Sequence, residues 1–256
     1  MSELLAPPLT ALVELNATLA QQGYAVLDAD AVTQGVSHCY DIHSNSLNIH
    51  EALNHLMPSW SDLPPDAFLK DGGRYRRRRH SCFVVNDAEV SLQPHRAHWQ
   101  PVAYNALHGG MQRLFAPMDA QVLAQTAWQA LLRWLAQVAS ALRGQQPWYV
   151  EAHQFRIDTT DGIGRPTPEG AHRDGVDLVA VFMIERQGVK GGETRVFDAR
   201  SPHGQRFTLT QPWSVLLLDD ERVIHETTPI QPQTLGQPSH RDTLVVTLRA
   251  GAFQGD

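Results

Sequence analysis

What most restricts the fold of this chain is a series of short apolar segments in its second half. Residues 148–157, 178–184, 193–197, 206–210, 213–218, 223–226 and 243–248 are rich in β-branched or aromatic residues and are separated by Gly, Pro, Asp or Asn turns. No helical pattern is interposed between them. A parallel sheet needs crossover helices, so strands spaced in this way point to a double-sheet jelly roll. The first half reads differently. Within residues 117–143, Leu123, Ala127, Ala130, Leu131, Trp134, Leu135, Val138 and Leu142 recur every three or four positions, and Gly144 follows where helices commonly end. This stripe is expected to pack on the outside of a sheet. Residues 7–22 carry a helical pattern followed by a strand candidate at 23–27. Residues 31–57 have too broken a periodicity to assign, and their His38, His43, His50 and His55 match no compact ligand spacing.

The composition sets outer bounds. A chain of 256 residues is long enough to bury a core as one domain, here residues 1–256. Lys and Arg number 21 against 27 Asp and Glu, a formal charge of −6, which argues against a nucleic-acid or membrane-surface partner and for a small molecule. Cys39 and Cys82 have no metal-type spacing and form no disulfide framework, so a cytoplasmic setting is expected. No apolar run approaches the ~18 residues of a membrane span, and no basic-then-apolar leader opens the chain.

Three stretches carry chemistry. In Glu169-Gly170-Ala171-His172-Arg173-Asp174-Gly175, an imidazole and a carboxylate stand two apart, and on a strand or its rim positions i and i+2 face the same way. His225, at the end of an apolar run, supplies a third ligand. Two histidines and a carboxylate on one face of an ion form the facial triad of non-haem Fe(II) oxygenases, with the remaining positions open. Farther on, Arg241 opens a buried-strand pattern, and its planar fork can grip a carboxylate with two parallel hydrogen bonds. The run Tyr75-Arg76-Arg77-Arg78-Arg79-His80 leads into a strand whose alternation sends at most half of its arginines into a pocket; the others pair with surface acids. Residues 162–170 read as a loop at the barrel mouth.

The order His-x-Asp, some fifty residues, His, a short gap and Arg resembles the jelly-roll 2-oxoglutarate/Fe(II) dioxygenases. The words Glu169-Gly170-Ala171-His172-Arg173-Asp174-Gly175, Gly191-Gly192-Glu193-Thr194, Leu218-Asp219-Asp220, His225-Glu226-Thr227-Thr228-Pro229-Ile230 and Arg241-Asp242-Thr243-Leu244-Val245-Val246-Thr247 resemble the bacterial 2OG-Fe dioxygenase branch that includes the free L-isoleucine hydroxylases. Upstream, residues 74–83 with Gln100, Asn105, Gly109-Gly110, Arg113 and Phe115 extend the likeness over roughly residues 70–250. The chain is also similar to the enterobacterial biofilm, stress and motility protein of this group. The expected fold class is therefore α+β, mainly β: a double-stranded β-helix (jelly roll, cupin-like) buttressed by N-terminal helices, with a helical and mixed half over 1–145 and a jelly-roll core over about 146–252.

This resemblance implies Fe(II), 2-oxoglutarate and O2, with succinate and CO2 as coproducts of the attack on a substrate C–H bond. It implies His172, Asp174 and His225 as metal ligands and Arg241 as cosubstrate anchor, with Arg249 as an alternative anchor and Thr210 and Thr247 helping to hold a carboxylate. For the substrate, expected to be a free L-amino acid, the candidates are Arg156, Gln154 and Arg78, with Glu169 or Asp177 meeting an ammonium group. The alternative from another class is a non-catalytic metal- or metabolite-binding regulator of the same fold, acting in stress, biofilm formation or motility.

Overall fold

The computed structural model describes residues 4–40 and 47–255; His43 lies outside them. Helices α1 (Leu15–Gln22), α2 (Ala29–Ser37) and α3 (Ile49–Asn54) alternate with strand β1 (Tyr24–Leu27) before β2 (Arg76–Asn86) and β3 (Glu89–Leu92). Then come α4 (Ala120–Leu123), α5 (Thr126–Arg143), β4 (Trp148–Asp158), β5 (Leu178–Gln187), β6 (Val189–Gly191) and β7 (Thr194–Asp198). The chain ends through β8 (Gly204–Phe207), β9 (Val215–Asp219), β10 (Val223–Thr227), β11 (Ile230–Pro232) and β12 (His240–Ala250).

These strands form two facing layers. The larger is an antiparallel sheet in the order β1-β9-β5-β12-β4-β2-β3; opposite it lie β10-β7-β8 and the β11-β6 pair. Val26, Val179, Met183, Leu216 and Leu218 from the large sheet meet Val196, Phe207 and Val223 from the small one in a shared apolar cluster. Each such side chain, fully buried, contributes ~1.5–3 kcal/mol. The result is the jelly roll that the strand series suggests.

The other face of the large sheet is covered by helices. The apolar stripe of α5 buries Trp128, Leu131, Trp134, Leu135 and Val138, and Trp128 meets Phe83 of β2 at 5.8 Å between ring centroids. Trp148 at the start of β4 donates its indole N–H to Ser140 on α5 at 2.8 Å. The helix α2 packs close to α5 because it carries Gly35: a Cβ there would sit 2.6 Å from the Trp134 indole nitrogen. No helix among the described residues is long and apolar enough to cross a membrane.

The boundary expected near residue 146 does not divide the sheet. β1, β2 and β3 belong to the large sheet although they precede α5, and β2 runs beside β4 from Arg76↔Ile157 to Val85↔Trp148. Buried arginines disguise β2 as a surface strand in the sequence. Helices α2 and α3 fall in the stretch that periodicity leaves unassigned. Both are capped by side chains: Asp28 accepts from the Ala31 N–H at 2.8 Å and Asn48 from the Glu51 N–H at 3.0 Å.

Candidate active site

His225 on β10 and His172 on the loop between β4 and β5 exchange two backbone hydrogen bonds, 3.0 Å from the His172 N–H and 2.9 Å from the His225 N–H. This single bridge turns both imidazoles to one side. Asp174, two residues on, follows them: its Oδ1 lies 3.9 Å from His172 Nε2 and its Oδ2 3.8 Å from His225 Nε2. The three donor atoms lie within 4.8 Å of one another, a group that could hold one metal ion.

Neighbouring groups fix their orientation. His172 Nδ1 donates to the Gly170 carbonyl at 2.9 Å, which leaves the Nε2 lone pair facing Asp174. The buried Asp220 carboxylate accepts the backbone N–H groups of Asp174, Gly175 and Val176 at 3.0, 2.7 and 3.2 Å, pinning the loop. Gln100 donates to Asp174 Oδ1 at 3.0 Å. Burial, assisted by the field of His172, pushes the His225 pKa down to about 3, so the imidazole is neutral with a lone pair to offer. For His172 burial acts downward, but the Asp174 and Glu169 carboxylates outweigh it and raise the pKa. Nitrogen and carboxylate donors on one face suit a divalent first-row metal such as iron.

The cavity beside this group is lined from the large sheet by alternate residues. Arg241, Thr243, Val245 and Thr247 enter from β12, Glu151, His153, Phe155 and Ile157 from β4, and Arg76 and Arg78 from β2. Arg241 is 3 % exposed, its Nε has no partner, and it makes no ion pair among the described residues. Burial first, then the neighbouring Arg186, pull its pKa down to about 10. A guanidinium buried without a partner is costly, and its place in a cavity wall suits an anionic ligand. Arg249 is turned to the chain end, where it donates to the carbonyls of Ala252 and Phe253 at 2.8 and 3.2 Å.

Several expected residues lie elsewhere. Arg156 sits opposite Asp242 in the β4–β12 register and grips it with both fork nitrogens, Nε at 2.8 Å and Nη2 at 2.6 Å. Gln154 is fully buried and donates to Ser59 at 2.7 Å. Both have even parity on β4, whereas the odd positions face the cavity. Thr210 is exposed beyond the end of β8 and does not line the cavity. Asp177 accepts from Arg143 at 3.3 Å and from the Ala250 N–H at 2.8 Å, also off the cavity. Thr247 and Arg78 do reach the wall. Arg78 lies between the Phe115 and Phe155 rings, 3.7 and 4.3 Å from their centroids, and Arg76 pairs with Asp66 at 2.7 Å. Arg77 and Arg79 have the other parity: Arg77 faces Asp158 at 3.5 Å, and Arg79 donates to the Pro117 and Asp62 carbonyls.

The wall also contains groups the sequence reading passed over. Glu151 Oε2 is shared by His80 Nε2 at 2.8 Å and His98 Nδ1 at 2.7 Å, while His153 Nδ1 meets Arg78 at 2.7 Å. Burial pushes His80 down to about 4; for Glu151 burial acts upward, but His98 and His80 outweigh it and lower the pKa. These four side chains stand close enough to hold an ion, as do Glu185, His240 and Asp242 on the outer face. The first group, however, already shares its carboxylate oxygen between two imidazoles and has Arg78 against it, which disfavours a dication. The available signal was Glu151 and His153 within an apolar strand, charged or polar residues that a buried position must employ.

The family model of the 2OG-Fe dioxygenases matches residues 57–247. A 3(1)-hydroxy-L-isoleucine 4-dioxygenase of Pantoea ananatis (strain AJ13355) is 21 % identical over 243 residues, 93 % of this chain and 96 % of its own length. Among solved structures, a bsmA homolog from Methylobium petroleophilum PM1 superposes with a TM-score of 0.88 at 49 % identity, covering 98 % of this chain and 97 % of its own. IDO from Bacillus thuringiensis has the same fold, with a TM-score of 0.74 at 18 % identity over 94 % of this chain and 100 % of its own. With the family match running through both the candidate ligand group and Arg241, the chain belongs to the 2OG-Fe dioxygenases, enzymes that use Fe(II), 2-oxoglutarate and O2.

Proposed function

We propose that this dioxygenase hydroxylates a free L-amino acid, with Fe(II) held by His172, Asp174 and His225 and 2-oxoglutarate anchored by Arg241. The observation that carries the reading is Arg241, a buried guanidinium without a protein partner that faces the same cavity as the three donors. Thr247, on the same face of β12, can add a hydroxyl to the cosubstrate site. When bound, Fe(II), 2-oxoglutarate and O2 supply oxidative decarboxylation to succinate and CO2 together with one oxygen atom for a substrate C–H bond. The protein contributes position and environment. His225 offers a neutral lone pair and Asp174 a negative charge; Gly170 and Gln100 keep the donor set turned inward. Phe155, Ile157, Val181 and Val245 give the wall of the same cavity apolar surface. The amino-acid relative of Pantoea ananatis supports the substrate class. Both halves of the chain contribute to this cavity, so we treat them as one catalytic domain, and Cys39 and Cys82 as reduced cysteines suit the cytoplasm.

The test is aerobic turnover of the Fe(II)-loaded chain with 2-oxoglutarate across the proteinogenic L-amino acids and 3(1)-hydroxy-L-isoleucine, measuring succinate and product mass. At least one amino acid is expected to stimulate succinate formation and gain one oxygen atom. Stimulation by a peptide or a nucleic acid instead would overturn the substrate class, and cosubstrate binding without any turnover would favour the regulatory alternative.

A further inference from the structure

The cavity holds a second buried guanidinium without a carboxylate partner. Arg113 is 2 % exposed, its Nε has no partner, and its one hydrogen bond to a side chain runs from Nη2 to Gln100 Oε1 at 3.0 Å. Its backbone is fixed by two bonds to His98, both 3.0 Å. The loop leading to it folds tightly at Gly109, where a Cβ would lie 2.4 Å from the Asn105 carbonyl oxygen. The other buried carboxylates nearby are engaged: Asp66 with Arg76, and Glu151 with His80 and His98. One carboxylate remains. Glu169 lines the same cavity, its Oε1 is 3.7 Å from His172 Nε2, and its Oε2 is buried without a partner. Arg113 and Glu169 feel one another's field yet form no ion pair within 4.0 Å.

We propose that Arg113 and Glu169 form a clamp for a zwitterion, Arg113 taking the α-carboxylate of the substrate and Glu169 its α-ammonium group. This rests on the amino-acid reading above and names the residues that would enforce it. A buried charge without a partner is expensive, and here one of each sign faces one space. A simple anion would leave Glu169 unpaired; a simple amine would leave Arg113 unpaired. A ligand carrying both charges meets the two together. Gln100 ties this clamp to the metal group, because one amide donates to Asp174 Oδ1 and accepts from Arg113 and from Asn105 at 3.2 Å. The carboxylate of the substrate would thus be held at a set distance from the ligands. The clamp excludes N-acylated amino acids, which lack the ammonium group, and peptides, in which no single residue carries both charges.

The experiment reads binding without turnover. The chain is loaded with Ni(II), and saturation-transfer NMR with thermal shift follows the proteinogenic L-amino acids and 3(1)-hydroxy-L-isoleucine, with and without 2-oxoglutarate. The amine and the 2-hydroxy acid corresponding to the best-bound amino acid are compared with it. We expect the amino acid to bind at least tenfold more tightly than either analogue. Arg113→Gln should lower its affinity at least 100-fold and Glu169→Gln at least tenfold, while 2-oxoglutarate affinity changes less than threefold. Arg113→Lys keeps the charge without the fork and should recover only part of the loss, so it serves even if the glutamine variant folds poorly. Wild-type protein that binds no amino acid in either condition, or Arg113 variants that bind it unchanged, would overturn the clamp. Absence of 2-oxoglutarate binding, with amino-acid binding intact, would overturn the cosubstrate assignment and leave the clamp standing.

Discussion

Arg156 and Arg241 lie one register step apart on adjacent strands, since Arg156 faces Asp242 and Arg241 faces Ile157 across the β4–β12 ladder. On the outer face Arg156 is gripped by Asp242, with His240 and Glu185 around it. On the inner face Arg241 forms no ion pair among the described residues. The two share chain context and residue type. What separates them is strand parity: one face of the ladder completes its charges internally, whereas the other leaves them to be completed by a ligand. Parity also sorts β2, where Arg77 and Arg79 find partners outside and Arg76 and Arg78 line the cavity, although there Arg76 is paired with Asp66.

The sharpest test of this division compares two histidines. Both faces hold a group that could take a metal, His172, Asp174 and His225 inside and Glu185, His240 and Asp242 outside. His225→Ala is expected to abolish retention of one equivalent of divalent metal, measured by elemental analysis after desalting, whereas His240→Ala leaves it unchanged. The reverse pattern would move the metal to the outer face.

The two arginines come next. Arg156→Ala leaves the Asp242 carboxylate buried and unpaired and should cost about 3 kcal/mol of stability, the low end for a broken buried pair because Arg156 is 18 % exposed. Its 2-oxoglutarate affinity should be unaltered. Arg241→Ala should cost about 2–5 kcal/mol in 2-oxoglutarate binding. It should raise the melting temperature of the ligand-free chain, because it removes an uncompensated buried charge. Denaturant melts and calorimetry separate these outcomes; an Arg241 variant that melts earlier and binds normally would contradict the contrast.

Inside the cavity the His80, His98 and Glu151 network predicts a pH response. His80, lowered to about 4, and His98, also lowered, stay neutral in the folded protein while their unfolded counterparts take up protons below about 6.5. The unfolded state therefore binds more protons between about pH 6.5 and 4, and stability falls as pH falls through that window. Glu151, whose folded pKa is depressed, adds stability above its unfolded value near 4.5 that is lost on further acidification. The expected loss is on the order of 2 kcal/mol, and His80→Gln should flatten the curve of melting temperature against pH. The smallest effect is that of Gln100→Leu, which removes the donor to Asp174 and should weaken metal affinity about 10-fold.

How much of this was legible in the sequence follows the same face-by-face division. The His172–Asp174 pair is a local motif, so spacing alone brings it together, and His225 lies in a short strand. The long helix and most later strands were visible because their apolar periods are regular. Glu151 and His153 against Gln154 and Arg156 is a different problem: alternation shows that one set faces inward but not which, and the answer depends on β2 and β12 packing on either side of β4. Nor could a strand of arginines announce itself as a central strand, since its charges are buried only because Asp66, Phe115 and Phe155 come from elsewhere. Short strands such as β3, β6 and β11, of three or four residues each, carry too little pattern to read.

Under the proposed function, the inner face of this ladder and the His172, Asp174 and His225 group together form a single Fe(II) and 2-oxoglutarate centre. Anaerobic titration of 2-oxoglutarate into the Fe(II)-loaded chain, followed by oxygen and quantification of succinate, tests it most directly. Binding should require both Fe(II) and Arg241, and succinate should appear only after oxygen enters. Equal binding and equal succinate from the Arg241→Ala and His225→Ala variants would contradict it.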